Sequence, residues 1–148
     1  MYSFSQLLAG VPSGLYRLNG DWRSRSLDKL CQLKGVQLVR IDGSTVRDRK
    51  RFLAVAARAM RCPAWFGANW DAFADAVMDL EWAPAGAYLV ILGDMEPFAA
   101  RAPQAFHLAL TILEQAAQFW SERGIPFHVL VADTQGAASN ALPAVGLS

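Results

Sequence analysis

Apolar residues in this chain fall alternately into short unbroken runs and into stripes at helical spacing. Residues 14–18 (GLYRL) form a short apolar-rich run between Pro-Ser-Gly and Asn-Gly, which predicts a strand. A second strand is predicted over 36–41, closed by the turn Asp42-Gly43. Residues 87–92 (AYLVIL) are almost continuously apolar, the pattern of a strand buried on both faces. Residues 125–132 (IPFHVLVA) give the last strand. Between the strands, Ser26 can cap a short helix through Lys34, with Gly35 as its stop. Phe52, Val55, Ala56, Ala59 and Met60 recur at helical spacing until Pro63 ends the helix. Further helices are predicted over 70–80, for a turn or two around Pro97, and from Pro103 to Arg123 ahead of Gly124. Strands separated by helices imply parallel pairing with right-handed crossovers. The predicted class is therefore α/β, a small parallel sheet with helices packed against it. A single domain is expected over 1–132, with 133–148 (DTQGAASNALPAVGLS) as a flexible C-terminal tail.

One helix stands apart. In WFGANWDAFADAVMDLEW, Asp71, Asp75 and Asp79 recur every fourth residue, just after the aromatic pair Trp65-Phe66 and Gly67. At about 100° per residue, Trp70, Phe73, Ala74, Val77 and Leu80 share an arc of roughly 120° that predicts a core face. The three aspartates share a separate arc about 80° wide. Asn69 is placed to cap the first turn. Asp71 then suits the helix dipole and Asp79 does not. Carboxylates four apart also repel by a few tenths of a kcal/mol per pair, and no basic residue lies between Asn69 and Trp82. Three readings remain open: a solvated face, a divalent-metal site, and a docking face for a cationic partner. The adjacent aromatics suit docking, because interface hot spots are rich in them.

Composition narrows the rest. A net charge of +1 over 148 residues argues against steering of the whole molecule toward nucleic acid or membrane, so charge can act only as a local patch. Cys31 and Cys62 make neither a disulfide framework nor a paired metal motif, and read as small buried thiols in a reducing compartment. No apolar stretch reaches the ~20 residues of a membrane span, and the first residues lack a basic leader. A cytoplasmic location follows as the expectation. The basic cluster RDRKR (47–51) could touch RNA, although a solvated helix start tempered by Asp48 is the plainer reading. Its position at a helix N-terminus is electrostatically poor. His107 and His128 read as satisfied core or edge residues, and GDMEP (93–97) as a strand-to-helix turn at an end where α/β proteins often bind ligands.

Aromatic-aromatic-Gly-x-Asn-x-Asp-Ala-x-x-Asp, opening a helix before a buried strand, resembles the barstar family of intracellular ribonuclease inhibitors. The likeness runs from about Leu38 to Ala132 and takes in VRIDGSTVRDRKRFL, WFGANWDAFAD, YLVIL and GIPFHVLV. It implies a three-stranded parallel core, enlarged here by residues 1–35 with an added N-terminal edge strand and helix. It also implies that the chain plugs a nuclease active site. Trp65 and Phe66 would take the place of paired tyrosines, while Gly67, Asn69, Asp71 and Asp75 match directly. Asp75 would meet the groups that bind the scissile phosphate, Asp71 would add supporting ion pairs, and Asp79 continues the face. Ala74 replaces a tryptophan of the family. Phe119 holds the place of an acidic contact in the last helix, for which Glu122 could substitute.

The function expected is inhibition of a basic ribonuclease or related nuclease toxin, without turnover, cofactor or metal. Direct contact with nucleic acid or membrane is not expected, and the free chain is expected to be a monomer. Two other readings stand beside it: a metal-dependent hydrolase built on Asp71, Asp75 and Asp79, and an interaction module that keeps the fold without inhibiting a nuclease.

Overall fold

A computed structural model of the chain describes residues 1–62, 69–79, 85–132 and 142–146. In chain order the elements are β1 (Tyr2–Ser3), α1 (Phe4–Leu8), β2 (Gly14–Asn19), α2 (Arg25–Leu33), β3 (Val36–Asp42) and α3 (Arg49–Ala59). They continue with α4 (Trp70–Asp79), β4 (Ala87–Gly93), α5 (Glu96–Arg101), α6 (Pro103–Ser121), β5 (Phe127–Ala132) and β6 (Ala144–Gly146). All neighbouring strands run parallel, in the order β1-β6-β2-β5-β4-β3.

The order explains the layering. From β2 the chain crosses through α2 to β3 at the far edge, then steps back through β4 to β5. Right-handed crossovers put the outward and returning connections on opposite faces of the sheet. One core accordingly gathers Phe4, Leu7, Trp22, Leu27 and Cys31 from the α1/α2 side. The other gathers Phe52, Phe73, Phe98 and Trp120 from α3 to α6. Between these layers every residue of β4 and of β5 is buried.

On the larger side α6 buries Phe106, Ala109, Ile112, Leu113, Ala116, Ala117 and Trp120, one continuous helical stripe. Phe52 of α3 stacks on Phe98 of α5 at 5.0 Å and meets Phe73 of α4 edge-on at 5.6 Å. Among the described residues no helix is long and apolar enough to cross a membrane.

The sheet is larger than the three-stranded core with one added edge strand. Among the described residues it has six strands, and β2 is interior, paired with β5 on one side and β6 on the other. Part of the expected tail is ordered within it: residues 144–146 are β6, which pairs with β1 and β2, and Val145 is fully buried. Residues 133–141 lie outside the described ones. The cap of α2 is Ser24 and not Ser26, and its side chain makes no capping bond.

Candidate functional site

The site read from the sequence is the outer face of α4. Asn69 begins it: its side-chain oxygen accepts from the Ala72 amide at 2.8 Å, and its carbonyl from Phe73 at 3.0 Å. Phe73 and Val77 are buried, and Trp70 packs on both Phe52 and Phe73. Trp120 of α6 donates its indole N–H to the Val77 carbonyl at 2.8 Å, fixing the second half of the helix. The rigid core face thereby aims the other face at solvent. Asp71, Asp75 and Asp79 are all exposed there, about 6 Å apart along the axis and about 12 Å end to end. None of them has an ion-pair partner among the described residues.

Trp65, Phe66 and Gly67 lie outside the described residues. Glu122 is the exposed C-cap of α6, accepting from Gln118 at 3.3 Å. It sits about 200° round the helix from Trp120, whose indole reaches α4. Phe119 is taken up by Arg123, whose guanidinium lies 3.5 Å from its ring centre. The described residues contain no group of three His, Cys, Asp or Glu able to hold a metal, so the stripe finds no converging ligands from neighbouring elements.

A second polar cluster lies at the carboxyl rim of the sheet. Arg23, in the β2–α2 loop, pairs with Asp42 at the end of β3 (3.1 Å) and with Asp94 after β4 (3.2 Å). Its guanidinium also lies 4.0 Å from the Trp22 ring centre. Trp22 in turn presses on Gly93, where a Cβ would fall 2.1 Å from the indole, so only glycine fits. Arg40 ties the same loop down through the Trp22 and Ser24 carbonyls (both 2.8 Å) and pairs with Asp28. Asp94 adopts φ 50, a left-handed conformation that aspartate tolerates better than most residues. Burial acts to raise the Asp42 carboxyl, but its bonds from Ser44 and the charge of Arg23 outweigh that and hold it below the usual range. Three separate segments build this cluster, so no sequence motif announces it; the only hint was GDMEP at a strand's carboxyl end.

The other titratable candidates resolve differently from expectation. His107 is exposed. His128 is completely buried, yet neither ring nitrogen reaches hydrogen-bond geometry with a partner among the described residues. Burial pushes its pKa down to about 4, a weak influence of the Leu7 backbone opposing. Cys31 and Cys62 are free thiols, and burial pushes Cys31 up to about 11, which leaves it unreactive.

Set beside known proteins, residues 36–132 match the family model described as Barstar (barnase inhibitor). No curated protein matches the chain. Among solved structures, the ORC2 protein of Aeropyrum pernix in its ADP form aligns with a TM-score of 0.59 at 16% identity, over 97% of this chain and 45% of that one. The same protein in its ADPNP-ADP complexes aligns with a TM-score of 0.59 at 15% identity, over 97% and 43%. The chain therefore spans less than half the length of those structures, and the likeness is one of fold.

These findings correct the expected function. Almost the whole chain aligns in fold with part of the Aeropyrum pernix ORC2 protein, whereas the family match stops short of β1, α1, β2, α2 and β6. Occlusion of a nuclease active site rested on a likeness over Leu38 to Ala132 and on residues from Trp65 to Asp79 with Glu122, and it does not survive the comparison over the full chain. For the metal-hydrolase alternative, the described residues offer no group of three His, Cys, Asp or Glu that could hold an ion.

Proposed function

The chain belongs to the barstar family, and we propose that it is a non-catalytic binding module, presenting the acidic face of α4 to a basic surface on another protein. One observation carries this reading: three exposed carboxylates without ion-pair partners among the described residues, on a helix whose opposite face is locked into the core. The arrangement costs the free protein stability, through like-charge pairs at four-residue spacing and an aspartate at the wrong end of the dipole. Charge-assisted bonds to arginine or lysine in a complex recover that cost. A rigid helix also lowers the ordering entropy of docking. We place the module in the cytoplasm, where Cys31 and Cys62 stay reduced.

The test is affinity purification of the parent and of the triple variant Asp71→Asn/Asp75→Asn/Asp79→Asn from the native cell. A basic protein retained by the parent at low salt should fall at least about tenfold on the variant, because its cations lose their partners. A melting temperature at or above the parent's shows that the variant is folded. Equal retention by both proteins would sink the proposal.

A second reading rests on the ORC2 likeness, since those structures are described as ADP and ADPNP-ADP forms. On a parallel sheet a nucleotide binds outside the carboxyl ends of the strands, which here is the rim that holds Arg23. The loop Gly20-Asp21-Trp22-Arg23-Ser24 lacks the lysine and paired glycines of a phosphate cradle, and Asp42 and Asp94 already neutralise Arg23. Calorimetric titration with ADP decides the matter: binding that Arg23→Gln abolishes supports this reading, and absence of heat at millimolar ADP ends it.

A further inference from the structure

We propose that α3 carries a contact surface for the phosphate backbone of duplex nucleic acid, read without sequence preference. Arg47, Arg49, Lys50, Arg51, Arg58 and Arg61 are all exposed, six of the chain's 14 basic residues within fifteen positions. On the wheel Lys50, Arg51 and Arg58 share an arc of about 100°, opposite the buried Phe52, Leu53 and Ala56. The ion pairs among the described residues involve only Arg23 and Arg40, so none of the six cations is neutralised there. The one carboxylate in the segment, Asp48, is occupied as N-cap, accepting from the Arg51 amide at 2.8 Å.

Two local rules are broken to keep these charges. Four cations crowd the positive end of the helix dipole, with no acidic residue in the first turn. Arg61 sits at φ 55 just beyond the helix, where glycine is the usual residue. Both cost stability, and such conflicts between local preference and fold concentrate at functional positions.

The chemistry of the surface selects its occupant. Arginine forks match phosphate oxygens in pairs. Lys50 to Arg58 spans about 12 Å of helix axis, comparable to the ~12 Å width of a major groove. Between the cations the helix shows Ala54 and the half-buried Val55 and Ala57, which allow close approach but offer no ring on which unpaired bases could stack. Stacking platforms are what single-strand binders need, so duplex is favoured. The surface shares no residue with the acidic face of α4, and it departs from the expectation of a partner that is protein alone.

The test is fluorescence anisotropy with a labelled random-sequence duplex and a single strand of equal length, across a salt series. About four phosphate contacts predict a slope of log affinity on log salt near −4. Lys50→Gln/Arg51→Gln/Arg58→Gln should weaken duplex binding at least about tenfold and flatten the slope by about 3. Should that variant fail to fold, Lys50→Gln alone should flatten it by about 1. Arg25→Gln/Lys29→Gln/Lys34→Gln removes the same charge from the exposed side of α2 and should leave binding intact. The proposal is overturned if the parent shows no duplex binding at low salt, or if both triple variants lose affinity equally. It is also overturned if polyglutamate binds the α3 surface as tightly as duplex does, which would assign it to an acidic protein.

Discussion

Mild acid should weaken this protein through one residue, His128. Its imidazole is completely buried beside the Tyr16 ring, 5.7 Å between centroids, with neither nitrogen hydrogen-bonded to a described partner. Burial holds the folded pKa at about 4, against an unfolded value near 6.5. With the folded pKa depressed, the unfolded chain takes up the proton first. Stability is therefore full above about pH 6.5 and declines as pH falls toward 4. The gap of roughly 2.5 pK units corresponds to a loss on the order of 3 kcal/mol, a large share of a typical domain's 5–15 kcal/mol. Urea unfolding at pH 7, 5.5 and 4.5 measures it, with His128→Leu as the comparison. The parent should lose about 2.5 kcal/mol across the series beyond what His128→Leu loses, the rest of the gap lying below pH 4.5. Parallel losses in the two proteins would show that His128 is not the group responsible.

Other perturbations follow from the same packing. Asp75→Ala removes two repulsive pairs and introduces a better helix former, so the free protein should gain a few tenths of a kcal/mol in thermal melts. Trp120→Phe deprives the Val77 carbonyl of its buried donor at 2.8 Å and should cost about 1–3 kcal/mol in urea unfolding. Gly93→Ala drives a methyl group into the Trp22 indole and should cost about 1–3 kcal/mol, most of it recovered when Trp22→Ala is added, as a double-mutant cycle will report.

What could be read in advance depended on how local the cause was. The unbroken apolar run of β4 marked a strand buried on both faces, and Ala87 through Gly93 are all buried. The wheel for α4 separated Phe73 and Val77 from the aspartates because that helix obeys its own periodicity. By contrast β1 has two residues and β6 three, too few for any alternation, and β6 stays in place because β1 and β2 flank it. Arg23, Asp42 and Asp94 come from three segments that only the crossovers bring together. The two histidines also parted. His107 lies on the outer side of a helix whose inner stripe is apolar, and His128 lies in a strand wholly enclosed by two layers. The family was visible in a compact motif, but a function inferred from that motif did not hold once strands from outside it joined the sheet.

The central claim, that the acidic face of α4 docks a basic protein surface, is tested most directly by photo-crosslinking in the native cell. A photoreactive residue at Ala76, half-buried on α4 at the margin of the acidic face, leaves all three carboxylates in place. A second at Lys29, exposed on α2 across the sheet, reports non-specific capture. The predicted result is an adduct between position 76 and a basic protein, absent from position 29 and lost when Asp75→Asn is added. No adduct at position 76, the same adducts at both positions, or an adduct that survives Asp75→Asn would contradict it.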